Sequence, residues 1–92
     1  MATEVKASHI LVKTKEQIDT LKERLAQGET FEDLAKKCSL CPSGQKGGDL
    51  GYFGRGEMVK EFEDACFDTD VDEMTVVETE FGWHLIKVTG KF

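Results

Sequence analysis

Apolar residues in this chain follow two spacings, and the switches between them outline the fold. Val5 to Val12 is apolar and β-rich and predicts a buried strand. Thr14-Lys15-Glu16-Gln17 then matches a capping box, and Ile18, Leu21 and Leu25 recur at helical spacing behind it. Gly28 is placed to stop that helix. Thr30-Phe31-Glu32-Asp33 is a second cap signature, opening a helix with Phe31, Leu34, Ala35 and Cys38 on one face. Ser39 to Gly48 carries Pro42, Gly44, Gly47 and Gly48 and reads as a loop. Leu50 to Phe53 predicts a short strand. Met58 to Phe67 predicts a short helix with Met58, Phe62, Ala65 and Cys66 facing inward. Met74 to Thr79 predicts another strand, and Phe81-Gly82 a tight turn into the last one, Trp83 to Thr89. The order β-α-α-loop-β-α-β-β predicts an α+β domain of four strands and about three helices, antiparallel at least in its final hairpin.

Ninety-two residues make one domain, spanning 1–92, with a modest core. The net charge of −6 is unevenly placed: Glu57 to Glu80 holds ten acidic residues and one basic residue, Lys60. An acidic half disfavours nucleic acid and anionic membrane as partners. The run reads as a solvated face that keeps the chain soluble, with a bias towards neutral or basic polypeptides as the sharper alternative. Met1 to Lys6 has neither a basic nor an apolar segment of a signal peptide, and no apolar run approaches the roughly 20 residues that span a bilayer. The expected location is the cytoplasm. Three cysteines exclude a full disulfide framework, so free thiols are expected there.

Candidate chemistry begins with the two histidines. His9 lies within the first strand and His84 within the last, each among strong β formers, and such strands usually occupy the centre of a sheet. As neighbours, the imidazoles would form a cross-strand pair, each fixing the other's tautomer. Taken singly, each also reads as a satisfied core residue. Cys38-Ser39-Leu40-Cys41 is a C-x-x-C, but it closes a helix where a redox motif opens one. Cys38 falls on an apolar face. Zinc needs four ligands, which Cys38, Cys41, Cys66 and one histidine could supply, but the sequence has no second C-x-x-C and no H-x₃₋₅-H, so no metal is expected. Cys41 differs from the other two in standing at the mouth of the glycine-rich loop, partly exposed. Gly44-Gln45-Lys46-Gly47-Gly48 lacks the spacing of a phosphate-binding loop.

Taken in order, Ser8-His9-Ile10-Leu11-Val12, Cys41, Gly48-Asp49-Leu50-Gly51-Tyr52-Phe53, Gly56-Glu57-Met58-Val59, Phe62 and Phe81-Gly82-Trp83-His84-Leu85-Ile86-Lys87 resemble the parvulin family of peptidyl-prolyl cis/trans isomerases. The resemblance runs from Val5 to Val88 and is nearest to single-domain prokaryotic parvulins. It implies a four-stranded antiparallel sheet wrapped by three to four helices, as in parvulin and FKBP-like folds, with His9 and His84 adjacent at its centre. It implies Cys41 beside them as the third catalytic position. It places Leu50, Met58 and Phe62 around the substrate's proline ring, Phe81 on the apolar wall, and Thr79 in a hydrogen bond to the histidine pair. It implies a cofactor-free, monomeric isomerase that acts on proline-containing polypeptides and assists folding. The long basic loop of phospho-dependent parvulins is absent after the first strand, where Lys13-Thr14-Lys15 runs straight into the helix, and Phe81 stands where those enzymes have serine. Independence from phosphoserine and phosphothreonine follows as an expectation. Glu61 before Phe62, and Trp83, also depart from the family pattern.

Overall fold

The computed structural model describes residues 3–92; Met1 and Ala2, and the start-of-chain reading made on them, lie outside the described residues. Two long strands, β1 (Glu4–Val12) and β4 (Gly82–Lys91), carry the apolar runs and lie in the middle of the sheet. β2 (Asp49–Gly54) flanks β1 and β3 (Met74–Thr79) flanks β4, giving the order β2-β1-β4-β3 with every pair antiparallel. Successive side chains of a strand point to opposite faces. Ile10, Val12 and Leu85 therefore pack on one side, against α1 (Lys15–Ala26) and α2 (Phe31–Cys38) through Ile18, Leu21, Phe31 and Leu34. Val5, Ala7, Ile86 and Val88 pack on the other, with Phe53, against Phe62 and Cys66 of α3 (Lys60–Asp68). Both faces are covered, which is why the central strands read as continuous apolar runs. Each fully buried Ile or Leu here contributes roughly 1.5–3 kcal/mol.

Local chemistry sets the helix ends. Thr14 and Gln17 form both halves of the capping box on α1, and Gly28, at φ +104°, follows the cap residue Gln27. Thr30 Oγ1 accepts the Asp33 N–H at the start of α2. Two expectations need correction. Ser39 to Gly48 is not wholly irregular: Pro42–Lys46 forms a 3₁₀ turn with Pro42 at its first position, where the missing N–H costs nothing. The third helix begins at Lys60, with Val59 as a cap that makes no side-chain bond, so Met58 lies in the preceding loop. No helix among the described residues is long and apolar enough to cross a membrane.

Candidate active site

His9 pairs in register with Ile86, and Leu11 with His84, so the two histidines are diagonal neighbours on the α3 face rather than directly opposed. The offset suits edge contact between long rings. Their Nδ1 atoms stand 3.0 Å apart, with the rings nearly parallel at 14°. Both are buried, at 5% and 4% exposure. Phe62 stands across the pair, its ring centroid 5.4 Å from His9 and 5.1 Å from His84 at steep angles.

β2 pairs with β1 only as far as Ser8↔Asp49. Beyond it the outer edge of β1 is open, and the segment from Ser39 to Gly48 fills it. His9 N–H donates to the Gly48 carbonyl, Leu11 N–H to Ser39 Oγ, and Leu40 N–H to the Leu11 carbonyl. Gly48 is required for this approach: at φ +84°, a Cβ there would sit 2.4 Å from the His9 carbonyl oxygen. The stitching sets Cys41 and Ser43 over His9. Ser43 Oγ donates to Cys41 Sγ at 3.3 Å and lies 3.1 Å from His9 Nε2; Thr79 Oγ1 lies 2.8 Å from His84 Nε2.

One proton arrangement satisfies the whole chain of contacts. Ser43 has a single hydrogen and gives it to Cys41, so His9 Nε2–H donates to Ser43 Oγ. His9 Nδ1 then accepts from His84 Nδ1–H, and His84 Nε2 accepts from the Thr79 hydroxyl. Thr79 Oγ1 in turn accepts the Phe81 N–H at 3.2 Å. Both imidazoles are neutral in this arrangement. Burial, and secondarily the neighbouring His84, lowers the His9 pKa from 6.5 to about 4; burial also lowers that of His84.

Above the pair opens a mostly apolar cleft of about 460 Å³. Leu50, Met58, Phe62, Leu11, Leu40 and Pro42 line it together with Cys41, His9 and His84. Every residue expected at the site is gathered here: Thr79 reaches it through His84, and Phe81, 63% exposed, stands at the rim. Ser43 was not legible in the sequence, because nothing marks a loop serine that acquires its role only when the loop folds over β1. Leu11, Leu40, Pro42, Glu57 and Val59 also line the cleft unanticipated. The other two cysteines lie apart: Cys38 packs against the α1/α2 core and Cys66 is buried in the α3 core, where desolvation pushes its thiol up to about 12.

The cleft offers an apolar seat, a half-buried thiol and a neutral hydrogen-bond relay. It suits a reaction that breaks no covalent bond but prefers a less polar, twisted form of its substrate. Comparison with known proteins gives the same answer. A family model described as PPIC-type PPIASE domain matches residues 1–92. Foldase protein PrsA 1 of Bacillus cereus is 54% identical over 88 residues, covering 94% of this chain and 31% of its own length. The chain thus spans about a third of the curated relatives it matches. The crystal structure of peptidylprolyl isomerase PrsA from Bacillus anthracis superimposes with a TM-score of 0.93 at 43% identity, over 99% of this chain and 43% of that one. The solution structure of NmPin, the parvulin of Nitrosopumilus maritimus, gives 0.87 at 43% identity, over 98% of this chain and 99% of that one. A match over the whole chain, joined to a relative of the same extent and fold, makes this chain a PPIC-type peptidyl-prolyl isomerase domain, a member of the parvulin family.

Proposed function

We propose that the cleft seats the proline ring of an X-Pro segment against Leu50, Met58 and Phe62 and turns the preceding carbonyl without covalent attachment. The observation that carries this reading is the neutral His9–His84 pair roofed by an apolar cleft with one thiol at its floor. The barrier to be lowered is about 18–20 kcal/mol and comes from amide resonance. A twisted C–N bond has less charge separation than a planar amide, so exclusion of water by the apolar walls favours it. Each tenfold acceleration requires about 1.4 kcal/mol of such preference.

In this reading His9 and His84 hold the floor and fix the tautomers, and Thr79 orients His84. Phe81 extends the apolar wall at the rim. Cys41 faces the turning carbonyl as an electrostatic partner, held in place by Ser43. Among the described residues the only charged one lining the cleft is the acidic Glu57, which favours unphosphorylated substrates. We extend the proposal to help in the folding of proline-containing polypeptides, by a monomer in a reducing compartment such as the cytoplasm. The odd count of three cysteines, which leaves no full disulfide framework, is in keeping with that compartment.

Exchange rates measured by NMR on matched peptides, with and without phosphate on the serine before proline, test this reading. Acceleration of the unphosphorylated peptide at least equal to that of its phosphorylated partner is expected. Binding of both without acceleration of either would make the cleft a holding site for unfolded chains instead.

A further inference from the structure

We propose that Glu63 positions the proline pocket by holding the loop that carries Met58 onto the helix that carries Phe62; this rests on the reading of the cleft given above. Glu63 stands within the acidic run, yet it is only 7% exposed. Its carboxylate turns back past the start of α3: Oε1 accepts the Gly56 N–H at 2.5 Å and Oε2 accepts from Arg55 Nη1 at 3.0 Å. Those residues belong to the short link between β2 and α3, which ends in Glu57, Met58 and Val59, all three on the cleft wall. Glu63 follows Phe62 directly, and its own N–H donates to the Val59 carbonyl. One residue therefore ties the loop half of the pocket to the helix half. Val59 provides no side-chain cap at this helix start, and the other links from the loop to α3 are made by Arg55, which pairs with Asp64 and lies over the Phe67 ring at 4.3 Å.

The two bonds differ in weight. The Arg55 side chain is 57% exposed, so its ion pairs with Glu63 and Asp64 are screened by solvent. The Gly56 bond is short, charge-assisted and made to a buried carboxylate, and so carries the positioning.

The proposal makes a split prediction. Glu63→Gln and Arg55→Ala remove the ion pair but keep an acceptor for the Gly56 N–H. Both should bind an X-Pro peptide within about twofold of wild type, because a screened pair contributes little. Glu63→Ala and Glu63→Asp withdraw the acceptor. They should weaken peptide affinity about tenfold, the worth of one charge-assisted hydrogen bond. Their exchange rate at saturation should stay within about threefold, since the His9–His84 floor is untouched. A general loss of fold would lower rate and affinity together. The Gly56 amide of wild type should also be as protected from hydrogen exchange as the amides of β2, a readout that needs no variant.

Wild-type affinity in Glu63→Ala, equal losses in Arg55→Ala and Glu63→Ala, or an unprotected Gly56 amide would each overturn the proposal. Should wild type bind the peptide but fail to speed its exchange, the isomerase reading fails, and the affinities and the amide still decide the role of Glu63.

Discussion

Acidification from pH 7.5 to 5.0 should destabilise the fold by about 2 kcal/mol through His9 alone. Burial holds the folded-state pKa of His9 at about 4, against 6.5 for the exposed side chain. Between these values the unfolded chain binds a proton that the folded chain refuses. Stability is therefore complete above pH 6.5 and is lost as pH falls towards 4. The full linkage is about 3 kcal/mol, and roughly two thirds of it is spent by pH 5. His84, also lowered by burial, adds loss of the same sign. Ordinary carboxylates titrate mainly below pH 5, so this window isolates the histidines, of which the chain has only two. With a urea slope of about 1–2 kcal/mol/M, the unfolding midpoint should fall by roughly 1–2 M. Urea titrations at half-unit pH steps supply the curve, and His9→Gln supplies the control, since its side chain still forms hydrogen bonds but does not titrate. A midpoint that stays level across the window, or an equal slope in His9→Gln, would refute the reasoning.

Substitutions at three further positions bear on the relay and its roof. Thr79→Val keeps the shape but leaves His84 Nε2 and the Phe81 N–H without their partner; a loss of about 1–2 kcal/mol is expected in urea unfolding. Gly48→Ala places a methyl against the His9 carbonyl at a positive φ; a loss of at least about 2 kcal/mol is expected by thermal unfolding, with reduced isomerase activity because Cys41 and Ser43 shift together. Cys41→Ser should lower kcat/KM by less than about tenfold and Cys41→Asp should remain measurably active, whereas removal of a covalent nucleophile costs several orders of magnitude. A near-dead Cys41→Asp enzyme would end the non-covalent reading.

Where local chemistry decided the structure, the sequence was legible. The Thr14–Gln17 capping box, the Thr30 cap and the Gly28 stop each act within a few residues, and each stands where expected. The central placement of β1 and β4 was also legible, because strands covered on both faces need unbroken apolar runs. The diagonal offset of the histidines was not, since it depends on how β4 registers against β1. Nor was the start of α3: Val59 gives no capping bond, and the restraint comes from Glu63, hidden among exposed carboxylates. Ser43 was invisible for a similar reason. Its partners lie on β1 and on Cys41, and only the close passage of Gly48 under the 3₁₀ turn brings them together.

The central claim is that X-Pro bonds turn over in the cleft above His9 and His84. One NMR titration tests it most directly, reading amide shifts and cis/trans exchange of an unphosphorylated X-Pro peptide in the same samples. The account predicts that shifts at Cys41, Met58 and Phe62 saturate at the same peptide concentration as the catalysed exchange rate. Exchange that stays at the uncatalysed rate of roughly once per 10–100 s while those residues saturate would contradict it. So would catalysis whose shifts map away from the cleft.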